Sequence, residues 1–190
     1  MKKVILCLIM LFTFSLNAQA AIKPIPEGSM LRAKFTQNRY LKDIEEPITS
    51  KGEMNLWSGK GLIWTTKTPF PSSILITQQG MYQLEGAQKI AMASAGNDNI
   101  IFDILGGDFS HEVNGFKVEN LKDEKGKCRV RLVATHSEIQ NFIKSIEIEG
   151  KDKISRIVIN RPNGDMDDIV LKDHVIIKNI TPQQQALFDD

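Results

Sequence analysis

Short runs of alternating apolar and polar residues, separated by glycine or proline, constrain this chain more than any other feature of its sequence. The stretch from Gly59 to Leu84 reads GKGLIWTTKTPFPSSILITQQGMYQL, with apolar residues alternating on each side of Pro69-Phe70-Pro71. Alternation with a period of two is typical of half-buried β-strands. The pattern therefore predicts strands here, including a hairpin that turns at residues 78–80.

The same alternation runs through most of the chain. It recurs over residues 30–43, 48–57, 115–135, 143–160 and 168–180, and glycine-containing turns are indicated near residues 125–126, 150–152 and 161–165. This amounts to about ten or eleven short strands at hairpin spacing. A mainly β fold is predicted, with one large antiparallel sheet that is closed or nearly closed into a barrel.

Two short segments have helical features instead. In the first, apolar residues recur at helical spacing after a capping Asn97 or Asp98, and Gly106 ends the segment. These apolar residues are Ile100, Ile101, Ile104 and Leu105. In the second, Thr181 is suited to cap a terminal helix with Pro182 at its first position.

The first twenty residues have the three parts of a secretory signal peptide. Lys2 and Lys3 form a positive region, residues 4–16 are apolar, and Ala18-Gln19-Ala20 is a small-residue cleavage site. We expect export of the chain and cleavage after Ala20. We expect residues 21–190 to form a single domain.

Charge and cysteine content narrow the class of protein. The formal net charge is +1 at pH 7, and no run of lysine and arginine forms a basic stripe, so nucleic acid is not an expected partner. Only Cys128 lies beyond the signal, so an internal disulfide is excluded and the fold depends on its core. Cys128 itself is expected to be a small buried strand residue, and the chain is expected to be a monomer.

No constellation suited to catalysis or metal binding is recognisable. His111, His136 and His174 have no partner at metal-binding spacing, and neither G-x-S-x-G nor H-E-x-x-H occurs. Residues 163–168, NGDMDD, offer carboxylates as a calcium loop does, without its length or closing glutamate. We therefore predict that the protein is not an enzyme and has no metal or cofactor.

The sheet carries more apolar surface than the short helices can cover. By strand parity, seven large residues can share one face. They are Phe35, Met54, Leu56, Leu62, Trp64, Ile74 and Ile76. Either the sheet curls on itself and these residues form an ordinary core, or it keeps a cavity for an apolar ligand.

Several short motifs follow one another in the first half of the chain. They are Phe35-Thr-Gln-x-Arg39, Ser50-Lys-Gly52, Gly61-Leu-Ile-Trp64 with Pro69-Phe70, and Ile74-Leu-Ile-Thr77 with Gly80. Their order and spacing resemble those of the LolA-type periplasmic lipoprotein carriers. The closest similarity is to LolA-like proteins associated with aryl-polyene and related lipid pathways. Segments 145–165 and 181–188 resemble that subgroup too.

This resemblance implies an unclosed antiparallel barrel of about eleven strands with a short helical lid. Its concave side would hold acyl chains of a lipid or lipoprotein between an inner-membrane donor and an outer-membrane acceptor. The seven apolar residues would line that cavity, and Ile100, Ile101, Ile104 and Leu105 would be lid residues. The alternative is a non-catalytic envelope β-domain that acts as a protein-interaction or assembly module.

Overall fold

The structure, a computed structural model, describes residues 22–86, 88–92, 104–105, 115–124 and 126–188. Within them, eleven strands follow one another along the chain. The strands are β1 Met30–Tyr40, β2 Ile48–Trp57, β3 Gly61–Thr68, β4 Ser72–Thr77, β5 Gly80–Glu85, β6 Gln88–Ala91, β7 Phe116–Glu124, β8 Lys127–Ala134, β9 Ser145–Gly150, β10 Ile154–Asn160 and β11 Met166–Ile177. The helices with defined bounds are α1 Ser137–Gln140 and α2 Pro182–Ala186.

All eleven strands form one antiparallel sheet. Their order is β6-β5-β4-β3-β2-β1-β11-β10-β9-β8-β7, so hairpin neighbours stay adjacent and β1 joins β11 in the middle. The edge strands β6 and β7 do not pair with each other in the described part of the chain. The predicted mainly β fold, an unclosed barrel, is therefore confirmed.

The inner face of the sheet follows from residue alternation. Leu31, Ala33 and Phe35 are buried, whereas Arg32 and Lys34 between them are exposed. The antiparallel registers extend this face across four strands in two rows. One row is Leu31, Leu56, Leu62 and Ile76, and the other is Ala33, Met54, Trp64 and Ile74.

Both halves of the sheet contribute to one apolar cluster on this face. Ile146 and Ile148 of β9 belong to the same cluster as Leu62 of β3, although these strands lie far apart in the sheet order. The sheet must therefore curl so that its inner face closes around a common interior. Ile104 and Leu105 are helical and buried in this cluster, whereas Ile100 and Ile101 lie outside the described residues.

A smaller cluster lies on the outer face beneath α2. Phe188 meets Trp57 edge-on, with ring centroids 5.3 Å apart, and both pack with Met30, Ile63 and Leu75. The helix begins at Pro182 with Thr181 as its cap, as the sequence predicts, and the structure adds a capping box between Thr181 and Gln184. No residue of α2 is buried, and it is Leu187 and Phe188, directly after the helix, that cover the outer apolar surface. The inner face is therefore left to be filled in another way.

Alternating charges occupy the outer face of β8 to β11. Arg131 pairs with Glu147 at 2.9 Å, and Arg156 pairs with Asp168 at 2.8 Å. These groups have the opposite strand parity to the buried isoleucines, so this side of the sheet faces water. No helix among the described residues has the length and apolarity needed to span a membrane.

Candidate functional site

The curled sheet encloses a cavity of about 250 Å³. Its lining comes from β3, β4 and β5, from β1, β10 and β11, and from Ile104 of the helical segment. Most of the lining is aliphatic or aromatic. The lining residues are Gln37, Arg39, Leu62, Trp64, Ile74, Ile76, Met81, Ile104, Ile157, Ile159, Arg161, Asp167 and Ile169.

Five residues predicted from the sequence to contact a ligand or form a lid are brought together at this cavity. Leu62 and Trp64 face it from β3, Ile74 and Ile76 face it from β4, and Ile104 faces it from its helical segment. The strand registers explain this grouping, because Leu62 lies opposite Ile76 and Trp64 lies opposite Ile74. Alternate residues of two paired strands therefore form one apolar wall.

The other predicted residues that the structure describes lie in the packed interior beside the cavity. Met54, Leu56 and Leu105 are almost completely buried and are not among the lining residues. Phe35 stacks on Trp64, with ring centroids 4.0 Å apart and an interplanar angle of 22°. These side chains belong to the same inner apolar cluster as the lining residues, and they pack beside the cavity wall.

A glycine makes room for the Phe35 ring. Gly52 is the residue of β2 directly opposite Phe35, and the register between β2 and β3 shifts beside it. A Cβ atom at this position would lie 1.9 Å from the carbonyl oxygen of Thr65 and 2.7 Å from the Phe35 ring. The aromatic pair that supports the wall therefore depends on the absence of a side chain at Gly52.

Polar residues form one end of the cavity. Asp167 is 1% exposed, and its carboxylate accepts hydrogen bonds from three side chains. Arg39 Nε donates at 2.7 Å, Arg161 donates through a terminal nitrogen at 2.7 Å, and Gln37 Nε2 donates at 2.9 Å. We call Gln37, Arg39, Arg161 and Asp167 the polar cluster.

The polar cluster keeps Asp167 ionised. Burial alone would raise the pKa of this carboxyl group, because it disfavours the charged form. The hydrogen bonds from Arg39, Arg161 and Gln37 oppose this effect, so the pKa of Asp167 lies below its ordinary value. The cluster therefore holds two guanidinium groups and one carboxylate, with one positive charge in excess.

Sequence reasoning did not assign a site role to the polar cluster, although strand parity could have indicated it. Gln37 and Arg39 have the same strand parity as the inner-facing Leu31 and Phe35. Asp167 likewise has the same parity as the inner-facing Ile169, two residues later in β11. The register then places Asp167 between Arg39 of β1 and Ile159 of β10. An inward-facing carboxylate needs a partner, and Arg39 is its partner across the strands.

Other chemistry has little support within the described residues. They include no group of three histidine, cysteine or acidic side chains that could hold a metal ion. Cys128 is half-buried in β8 and packs beside the inner apolar cluster. His174 contacts the backbone carbonyl oxygen of Ile154 at 2.8 Å and His136 is exposed, whereas His111 lies outside the described residues.

A second depression of about 550 Å³ lies on the outer face beside α2. Its lining mixes apolar groups with charged and hydroxyl side chains, including Arg32, Glu53 and Thr65. Ligand sites in proteins are mostly apolar and concave with a few placed polar groups. The inner cavity fits that description better and is the stronger candidate site.

The sheet topology and its inner cavity define a LolA-like fold. A solved LolA superfamily protein from Nitrosomonas europaea superposes with a TM-score of 0.51 at 10% sequence identity, covering 90% of this chain and 94% of that one. No protein-family model and no curated protein sequence matches the chain. At this identity the similarity establishes the fold and leaves the narrower aryl-polyene subgroup undetermined.

Two other solved structures are similar at lower scores. A chain of the Pseudomonas aeruginosa MucA/MucB complex has a TM-score of 0.47 at 6% identity, covering 82% of this chain and 54% of that one. A domain assigned to outer-membrane lipoprotein sorting from Vibrio parahaemolyticus has a TM-score of 0.37 at 9% identity, covering 87% and 94% respectively. The assignment of the fold rests on the Nitrosomonas protein.

Proposed function

We propose that the protein is a carrier that sequesters an acyl chain of a lipid or lipoprotein in its inner cavity. The observation that carries this proposal is the cavity of about 250 Å³, with its walls of leucine, isoleucine and tryptophan side chains. A binding site of this kind needs no reactive group. Its function is to remove apolar surface from water, and the protein is proposed not to be an enzyme.

The physical basis of sequestration is the hydrophobic effect. Each square ångström of apolar surface removed from water contributes about 25 cal/mol. The cavity, at about 250 Å³, is slightly smaller than the about 300–1,000 Å³ that is usual for drug-sized ligands. It would therefore hold part of one acyl chain, and a bulkier guest would require the walls to move apart.

The helical segment at Ile104 and Leu105 is the proposed lid. Ile104 lines the cavity, and both residues are buried against the strands. Ile100 and Ile101 belong to the same apolar pattern in the sequence and are proposed to complete the lid. Displacement of this segment would expose the cavity, so a partner that binds the lid could trigger release.

The cellular setting is also a proposal. Residues 1–20 would direct export to the periplasm and be removed after Ala20, leaving one domain over residues 21–190. The carrier would act as a monomer, receiving its cargo from an inner-membrane donor and delivering it to an outer-membrane acceptor. The sequence resemblance adds a narrower hypothesis, in which the cargo belongs to an aryl-polyene or related lipid pathway.

A second candidate function, a protein-interaction or assembly module, is favoured by one observation. Large apolar side chains are exposed at the end of the sheet where β1 meets β2 and β3 meets β4. Phe70 is 81% exposed, and the side chains of Tyr40, Ile44 and Ile48 are also exposed. Exposed apolar groups of this kind commonly mark surfaces that bind another protein. A carrier also needs such a surface for its donor and acceptor, so the two functions share this feature.

Binding of a fluorescent apolar probe tests the carrier proposal. Ile74→Glu places a charge on the cavity wall at a half-exposed position, and Ser73→Glu places the same charge on the opposite face of β4. Because burying an unpaired carboxylate is costly, Ile74→Glu should weaken probe binding by at least about tenfold. Ser73→Glu should bind as the wild type does.

The controls separate a loss of binding from a loss of structure. Circular dichroism and thermal unfolding of both variants establish that the fold is retained. If the folded wild-type protein binds no apolar probe, the interior is a sealed core and the interaction module becomes the better account. If both variants bind equally well, the probe occupies another surface.

A further inference from the structure

We propose that the polar cluster is the site for the anionic head group of the guest amphiphile. The group recognised would be a carboxylate or a phosphate attached to the acyl chain in the cavity. This inference rests on the proposed carrier function and adds to it the chemical class of the cargo. It predicts that an anionic single-chain amphiphile binds better than a neutral one with the same chain.

The position of the cluster supports this assignment. Arg39, Arg161 and Asp167 line the same cavity as Trp64 and Ile74. Arg39 is near the last residue of β1, Asp167 is near the first residue of β11, and Arg161 directly follows β10. The three residues therefore lie together at one end of the inner face. An acyl chain against the apolar wall would therefore place its head group beside these residues.

The exposed fractions of the three charged side chains indicate how deeply each one lies in the cavity. The Asp167 side chain is 2% exposed, whereas the side chains of Arg39 and Arg161 are 48% and 33% exposed. The carboxylate thus lies beneath the two guanidinium groups, which face solvent at the mouth. An incoming anion would meet the arginines first.

The arginines retain donors for a ligand. Asp167 is bound by the Nε atom of Arg39 and by one terminal nitrogen of Arg161. Within the described residues, the other two nitrogens of each guanidinium have no hydrogen-bond partner. Guanidinium groups bind carboxylate and phosphate oxygens through paired N–H donors, so the cluster could accept either.

A purely structural cluster would need only one cation. A single arginine neutralises the buried carboxylate of Asp167, and the second leaves an excess positive charge at the cavity mouth. The adjacent acid Asp165 is not a lining residue, and its carboxylate accepts hydrogen bonds from the Lys42 backbone and the Asn163 side chain. Arg161 also acts electrostatically on this carboxylate and helps to lower the pKa of Asp165. The cavity lining itself therefore carries one excess positive charge, which an acid outside the lining offsets in part.

The test compares three amphiphiles with the same alkyl chain: dodecanoate, dodecyl phosphate and dodecanol. The dissociation constants of their complexes with the protein are measured near neutral pH, below the concentrations at which the anions form micelles and dodecanol separates from solution. The wild-type protein should bind at least one anion about tenfold more tightly than dodecanol, as a charge-assisted hydrogen bond predicts. The two anions distinguish a carboxylate site from a phosphate site.

Charge variants of the cluster provide matched controls. Arg39→Gln removes the excess charge and leaves the Arg161–Asp167 pair intact, whereas Asp167→Asn increases the excess. The double variant Arg39→Gln/Asp167→Asn returns the net charge to its wild-type value. The preference for anion over dodecanol should therefore fall in the first variant, rise in the second and recover in the third.

Three outcomes are distinguishable. A preference that follows the charge series supports the head-group site. Equal affinity for dodecanol and both anions in the wild type, with measurable binding of all three, overturns it and leaves the carrier proposal standing. If the folded wild-type protein binds none of the three, the carrier proposal fails and this inference fails with it.

Discussion

Substitution of Gly52 by alanine should break the support of the cavity wall. The new Cβ would lie 1.9 Å from the Thr65 carbonyl oxygen, which belongs to the backbone of the neighbouring strand and cannot rotate away. It would also lie 2.7 Å from the Phe35 ring, which stacks on Trp64. Relief of the clash therefore requires β2 and β3 to separate locally and Phe35 to leave its place.

The structure allows the cost to be worked out. To reach an ordinary contact of 3.4 Å, Cβ and the carbonyl oxygen must separate by about 1.5 Å. A shift of this size breaks strand hydrogen bonds, which need a donor–acceptor distance below about 3.2 Å. Two lost bonds at about 1 kcal/mol each, with the aromatic stack at about 0.5–1.5 kcal/mol, give about 3 kcal/mol.

Equilibrium unfolding in urea, followed by circular dichroism, measures this loss. Ser50→Ala is a matched control, because Ser50 lies on the same strand with the same parity and the change adds no atoms. The double variant Phe35→Leu/Gly52→Ala should recover only part of the stability, since the clash with the Thr65 carbonyl remains. A Gly52→Ala protein within about 0.5 kcal/mol of the wild type would refute this reasoning.

Three other predictions test the fold around the cavity. Because the pKa of Asp167 is lowered in the folded state, its ionised form stabilises the fold fully above about pH 5 and this stability is lost as the pH falls. The melting temperature should therefore decrease in acid less steeply for Asp167→Asn than for the wild type. Phe188→Ala should cost about 3 kcal/mol in chemical unfolding while probe binding persists, since Phe188 packs on the outer face against Trp57. Thr181→Ala should cost about 1 kcal/mol in the same assay, because Thr181 caps α2 through a bond to the Gln184 backbone N–H.

Strand alternation was sufficient to predict much of the fold. The period of two in residues 30–35 assigned Leu31 and Phe35 to one face, and both are buried there. The hairpin turn at residues 78–80 separates β4 from β5 as predicted. These features depend on local geometry, because side chains of a strand must point alternately to its two faces.

Strand pairing far apart in the sequence could not be read in the same way. The sheet is centred on β1 and β11, and Arg39 of β1 lies opposite Asp167 of β11. Nothing local to either strand indicates this partner, because the register is set by the packing of the whole sheet. The contact between Arg39 and Asp167 therefore became visible only with the structure, although parity alone would have placed both residues on the inner face.

The sequence predicted only some of the residues of the candidate site, because the packing of the whole sheet could not be predicted from it. Leu62, Trp64, Ile74 and Ile76 face the cavity because paired strands align their inner faces. Parity alone could not decide which inner-facing residues border empty space, and it did not separate Met54 and Leu56 from the lining residues. That distinction depends on how strongly the sheet curls, which is a property of the assembled core.

Photo-crosslinking with a fatty acid that carries a diazirine near the end of its chain tests the central claim most directly. The account predicts labelling within β3 and β4, at Leu62, Trp64, Ile74 or Ile76, with competition by unlabelled dodecanoate. Labelling confined to the outer cluster around Phe188, or no specific labelling of the folded protein, would contradict it.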